Sequence, residues 1–125
     1  MDQTQEAVKK AVIIKNWNSV RVLLEIYLRR ELFAVRIYDN HLAALTELPQ
    51  LTIKPDLMVI DLDSNNLSSI VTGLHSCCPS TRVIVLLDEK DVQVVEELRH
   101  LPNACILFKP FIVKQFLNLV QGGLC

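Results

Sequence analysis

The feature that most constrains this chain is an apolar run that stops at a carboxylate. Leu57, Met58, Val59 and Ile60 are followed by Asp61, within the stretch KPDLMVIDLDS at 54–64. Consecutive apolar residues without alternation read as a strand covered on both faces, as in a parallel sheet flanked by helices. Pro55 fixes φ and lacks an amide hydrogen, so it suits the start of such a strand rather than its middle. In an open α/β sheet, ligands bind beyond the carboxyl ends of the strands, where the strand order reverses. A carboxylate that closes a central strand therefore falls where such a fold does its chemistry. Asp61 and Asp63 also have a purely structural reading, because Asp in the loop after a strand can cap the next helix.

The same alternation extends along the chain. Residues 1–9 form a polar lead-in, expected to fray, and AVIIK (11–15) reads as the first strand. Asn18 or Ser19 caps a helix with Val20, Leu23, Leu24, Tyr27 and Leu28 on its inner face, leaving Val22 and Ile26 over. LFAVRIY (32–38) is a second strand, and Asp39 or Asn40 caps a short helix, HLAALTEL, that Pro49 halts. After the central strand, Leu67, Ile70, Val71 and Leu74 repeat at helical spacing up to about Pro79. VIVLL (83–87) is a fourth buried strand; Asp88 or Asp91 then caps a helix with Val94, Val95, Leu98 and Leu101 inward. ACILF (104–108) is the fifth strand, followed by Lys109-Pro110, a helix from Phe111 to Val120, and Gly122-Gly123 as its stop. Strands alternating with helices over short connections predict an α/β fold, a three-layer α/β/α sandwich around a five-stranded parallel sheet. Right-handed crossovers leave few topologies, of which the flavodoxin-like order 2-1-3-4-5 suits five units.

Composition removes several function classes. At 125 residues, half of them hydrophobic, the chain makes one domain with a real core. Its net charge of −1 shows no nucleic-acid footprint. No apolar run approaches the roughly 18 residues that span a bilayer, and MDQTQEAVKK lacks the apolar segment of a signal peptide. A cytoplasmic location is the expectation. Cys77, Cys78, Cys105 and Cys125 show no metal or redox spacing and read as buried or bystander thiols. His41, His75 and His100 lie on separate elements and read as surface residues, and Trp17 reads as cover for the edge of the core.

PDLMVID at the third strand, VIVLL at the fourth and FKPF at the fifth resemble the receiver domain of bacterial two-component response regulators, from Val12 to Val120. The resemblance makes 1–125 a single receiver-like domain. It implies that Asp61 corresponds to the aspartate phosphorylated by a histidine kinase, that Lys109 contacts the phosphoryl group, and that Pro110 follows a cis bond. A carboxylate nucleophile needs a cation beside it to offset arriving charge. The departures are as informative. Where the family places two acidic Mg²⁺ ligands, this chain has Lys15 and Asn16; where it has a Ser or Thr closing strand four, this chain has Leu87. Ile106 replaces the aromatic residue that moves with that hydroxyl, and the usual Pro-Gly after strand three is missing. Mg²⁺ wants near-octahedral oxygen ligands, and an ammonium in that pocket would repel it or pair with Asp61.

Three readings follow. The first is a degenerate receiver: no enzyme and no cofactor or metal, but a signalling module that binds a protein partner, with Asp61 paired to Lys109 or Lys15. The second is a working receiver that accepts phosphate on Asp61 autocatalytically with Mg²⁺, from a histidine kinase or small phosphodonor. The third is a small flavodoxin-like enzyme or nucleotide binder, weakened by the lack of a Gly-rich phosphate loop. Asp63 and Asp88 could build a displaced metal site at the same rim or cap helices three and four. Apolar residues in excess of one helix face, Val92, Ile112 and Leu119, suggest an exposed strip along helix four, strand five and helix five that would serve a homodimer.

Overall fold

The computed structural model describes residues 8–123 and 125, so most of the expected lead-in (1–7) lies outside the described residues. Five parallel strands, β1 (Lys9–Ile14), β2 (Phe33–Tyr38), β3 (Leu57–Ile60), β4 (Arg82–Leu87) and β5 (Ala104–Phe108), form one sheet in the order β2-β1-β3-β4-β5. The helices α1 (Ser19–Arg30), α2 (His41–Glu47), α3 (Leu67–Cys77) and α4 (Val92–Leu98) connect successive strands, and α5 (Val113–Val120) follows β5. This is the expected α/β sandwich, with the strand order reversing between β1 and β3. No helix among the described residues is long and apolar enough to cross a membrane.

The period of a strand explains why the central runs are apolar throughout. Side chains alternate between faces, so Val12, Ile14, Met58, Ile60, Val83, Val85 and Leu87 meet Ala44 of α2, Val71 and Leu74 of α3, and Leu98 of α4. The residues between them, Ala11, Ile13, Leu57, Val59, Ile84 and Leu86, meet Leu24 and Leu28 of α1 and Phe116 of α5. Each fully buried side chain of this kind contributes about 1.5–3 kcal/mol, and both faces of β3 collect it.

Local chemistry sets the ends of the elements. β1 starts at Lys9, two residues before the expected Ala11, because Lys9 and Lys10 still pair with Phe33 and Ala34. The Lys9 ammonium lies 4.8 Å from the centre of the Phe33 ring, and the Lys10 amide donates to Asp56 Oδ2 at 2.8 Å. Asn18 caps α1 by accepting from the Arg21 amide, and Asn40 caps α2 by accepting from the Ala43 amide. Leu32, expected in β2, instead takes φ +69° in the turn after α1, a conformation that usually goes to glycine or asparagine. α5 begins at Val113 rather than Phe111; the Ile112 amide donates to Gln115 Oε1 at 3.0 Å and fixes the start. At its end Gly122 adopts φ +94°, and the Gly122 and Gly123 amides donate to Leu119 O and Asn118 O. A side chain on Gly123 would place its Cβ 2.7 Å from that Asn118 oxygen.

Several expectations are corrected. Val20 and Leu23 of α1 are exposed, while Leu119 is buried in the cluster under α5, so the proposed strip loses Leu119 and keeps Val92 and Ile112. Neither Asp88 nor Asp91 caps α4 with its side chain; a short 3-10 turn over Glu89–Asp91 leads into it, and Leu101 lies beyond its end. Asp63 does not cap α3 either: its carboxylate faces Lys90, and Ser64 Oγ accepts from the Asn66 amide. His75 is buried, with Nε2 2.8 Å from Pro102 O, so it ties α3 to the segment before β5. Trp17 is exposed, with the Arg21 guanidinium 5.1 Å from its ring centre, and covers no core edge. Cys105 and Cys125 are not bystanders, since their sulfurs are joined.

Candidate functional site

Each strand of the sheet is followed at once by a charged residue: Lys15 after β1, Asp39 after β2, Asp61 after β3, Asp88 after β4 and Lys109 after β5. Backbone hydrogen bonds hold three of these in step across the carboxyl edge. The Lys15 amide donates to Tyr38 O at 3.0 Å, the Asp61 amide to Ile14 O at 3.0 Å, and the Lys109 amide to Leu87 O at 2.8 Å.

The side chains converge on Asp61, which is only 4% exposed. Lys109 Nζ donates to Asp61 Oδ1 at 2.7 Å. Lys15 Nζ stands 3.0 Å from Asp61 Oδ2, close enough for an ion pair but without the alignment of a hydrogen bond. Lys15 is itself buried, while Lys109 is half-buried and also lies 3.8 Å from Asp88 Oδ1. A buried charge is tolerated when it is paired, and here one carboxylate is bracketed by two ammonium groups. The peptide bond between Lys109 and Pro110 is cis.

The other positions singled out in the sequence lie around this centre. Asn16 is exposed at the rim. Leu87 is buried in the cluster beneath α2, α3 and α4, and Ile106 packs against the same cluster. The place of the expected hydroxyl is thus filled by packed hydrocarbon. Arg21 and Asp39 belong to the site and were not anticipated. Arg21 Nη1 donates to Lys15 O at 3.0 Å and pairs with Asp39, so α1 and the end of β2 jointly hold the Lys15 backbone. The available signal was positional: Asp39 is the charged residue that closes β2.

The Mg²⁺ that a receiver would hold does not fit these residues. An ammonium and an amide occupy the positions of its acidic ligands, and that ammonium already lies against the remaining carboxylate. Among the described residues no group of three or more His, Cys, Asp or Glu side chains is placed to hold a metal. Asp63 and Asp88 instead face Lys90 and Lys109.

Burial works against the Lys109 ammonium, but the hydrogen bond and charge of Asp61, with the charges of Asp88 and Asp63, outweigh it and hold its pKa above the ordinary lysine value. Burial also raises the Cys78 thiol and the Tyr38 phenol. In all three cases the folded-state pKa exceeds the unfolded value, so the unfolded chain releases its protons first as pH rises. The stability these groups carry is therefore complete at neutral pH and lost at alkaline pH, beginning near the ordinary thiol value of 9.0. The urea midpoint should stay level up to that point and fall by about pH 10.5, the ordinary lysine value. In Cys78→Ala the onset should move to higher pH.

No family model matches the sequence, and comparison with curated proteins finds no match. Solved structures do match. A response regulator receiver protein from Pseudomonas putida superposes with TM-score 0.78 at 20% identity, covering 94% of this chain and 98% of that one. The chemotaxis protein CheY4 of Vibrio cholerae gives 0.76 at 19% identity over 94% of this chain and all (100%) of that one. A structure described as adenylate cyclase from Rhodopirellula baltica gives 0.79 at 12% identity, over 94% and 87% of the two chains. The fold is that of response regulator receiver domains. Identities this low establish the fold and leave the chemistry to the residues of the site.

Proposed function

We propose that this chain is a degenerate receiver: a protein-interaction module of two-component or phosphorelay signalling whose output does not depend on Mg²⁺-assisted phosphorylation. One observation carries the reading. The Lys15 ammonium sits 3.0 Å from Asp61 in the pocket where the fold would place a metal and its carboxylates. A lysine supplies the positive charge but not the metal's role as a template that orients both reacting oxygens. The partner is a histidine kinase or a downstream signalling protein. Titration of Mg²⁺ with and without a beryllofluoride phosphoryl mimic tests the proposal; neither ligand should change the Trp17 fluorescence or the amide spectrum. A saturable Mg²⁺ response that the mimic enhances would support the other reading, a working receiver, which draws on the 2.7 Å contact between Lys109 and Asp61.

The same proposal includes self-association through α4, β5 and α5. Val92 and Ile112 are both more than 60% exposed, at 61% and 63%, and Phe108 is partly exposed between their elements. Burying such side chains against a second copy would recover apolar area now facing water. Sedimentation at high micromolar concentration should show a dimer for the wild type and a monomer for Ile112→Glu. A monomeric wild type would remove this part of the proposal.

A further inference from the structure

Cys105 lies in β5, half-buried against the cluster under α1 and α5, and Cys125 is exposed beyond the Gly122-Gly123 turn. Their Cα atoms are 5.2 Å apart, inside the range that a disulfide bridges, and the sulfurs are bonded. Cys77 and Cys78, on and just after α3, are free. We propose that Cys105 and Cys125 form a reversible thiol–disulfide modification site that clamps the β5–α5 unit, with a small-molecule disulfide of the glutathione class as oxidant.

The position of the bond gives it leverage. It joins residues 20 apart, and the loop it closes contains Lys109, Pro110 and the whole of α5. α5 is only 8 residues long and is held by Phe116, Leu119 and Val120 beneath it and by the Arg82 guanidinium, which donates to Leu119 O and Val120 O. The turn at Gly122, with φ +94°, redirects the chain after the helix, and the bond returns it to β5. Exposure of Cys125 leaves one sulfur open to attack, the property that separates exchangeable from buried structural disulfides. In a reducing compartment such bonds are transient and serve redox sensing.

The chemistry balances as a two-electron exchange. The Cys125 thiolate attacks one sulfur of the small disulfide and expels a thiolate, which takes up a proton. The Cys105 thiolate then displaces the second small thiolate from the mixed disulfide. The protein loses two hydrogens and the oxidant becomes two thiols; reduction runs the same steps backward.

The test uses the full chain equilibrated over a series of reduced-to-oxidised glutathione ratios, then quenched with acid, unfolded, alkylated and mapped. A crosslinked Cys105–Cys125 peptide should rise and fall with the ratio, while Cys77 and Cys78 remain alkylatable. The oxidised form should melt roughly 10–15 °C higher than the reduced form, as closure of a loop of this size implies, and its α5 amides should exchange more slowly. Cys125→Ser should show neither the crosslink nor the shift. A mixed disulfide that persists at Cys125, pairing with Cys77 or Cys78, or a crosslink that leaves α5 exchange unchanged would each overturn the proposal.

Discussion

Asp61→Asn is expected to destabilise the protein by roughly 3 kcal/mol, the cost of breaking a buried ion pair by removing one partner. The amide would leave the Lys15 ammonium, now 3.0 Å from the carboxylate, without a negative neighbour in a pocket from which water is largely excluded. Lys109 would suffer less, because it is half-buried and keeps Asp88 at 3.8 Å. The sign of the change is diagnostic. In a pocket lined by several carboxylates, neutralising one relieves repulsion and stabilises the fold; here it strips two cations of their shared anion. Lys15→Met should cost less than Asp61→Asn, since Asp61 would retain its hydrogen bond from Lys109. Lys15→Met combined with Asp61→Asn should recover most of the loss, because no charge is then left buried and unpaired. Urea unfolding of this double-mutant cycle measures the coupling directly. A cost below about 1 kcal/mol for Asp61→Asn would mean that the pair is solvated, and the bracketed carboxylate would lose its standing as the centre of the site.

The second large effect is a gain. Lys15→Asp with Asn16→Asp should create a pocket that binds Mg²⁺, because Asp61 would be joined by two carboxylates in place of an ammonium and an amide. Without metal the variant should be less stable than the wild type, since like charges replace the ion pair. Mg²⁺ at ten times its dissociation constant should return about 1.4 kcal/mol. Thermal unfolding with and without Mg²⁺ checks this, and equal insensitivity of variant and wild type would place the obstacle elsewhere. Labelling of Asp61 in that variant should still leave the distant face unmoved. Leu87 has no hydroxyl to meet a phosphoryl group, and Ile106 has no ring to reorient. Adding Leu87→Thr and Ile106→Tyr should be required before phosphorylation shifts the conformational equilibrium, at a cost in stability because Leu87 is fully packed.

The sheet was legible in the sequence because a strand buried on both faces can hardly be anything but a run such as LMVI or VIVLL, and each run stops at a charged residue. That stop also located Asp61 at the carboxyl edge, while the resemblance to receiver domains supplied Lys109 or Lys15 as its partner. What stayed hidden depends on contacts between distant segments. Periodicity shows which face of α1 turns inward but not how wide a stripe the sheet can cover, so Val20 and Leu23 emerged exposed. His75 looked like a surface residue because its carbonyl partner at Pro102 is 27 positions away. The Cys105–Cys125 bond spans 20 positions without a recognisable spacing. Arg21 was read only as part of a helix, although its side chain reaches back to Lys15 and across to Asp39.

The most direct measurement of the central claim is the intact mass of the wild-type protein after incubation with acetyl phosphate and Mg²⁺, beside Lys15→Asp with Asn16→Asp. The Lys15–Asp61–Lys109 arrangement predicts an unmodified wild type and a variant that gains one phosphoryl group only when Mg²⁺ is present. Robust Mg²⁺-dependent labelling of the wild type at Asp61 would contradict the degenerate-receiver account.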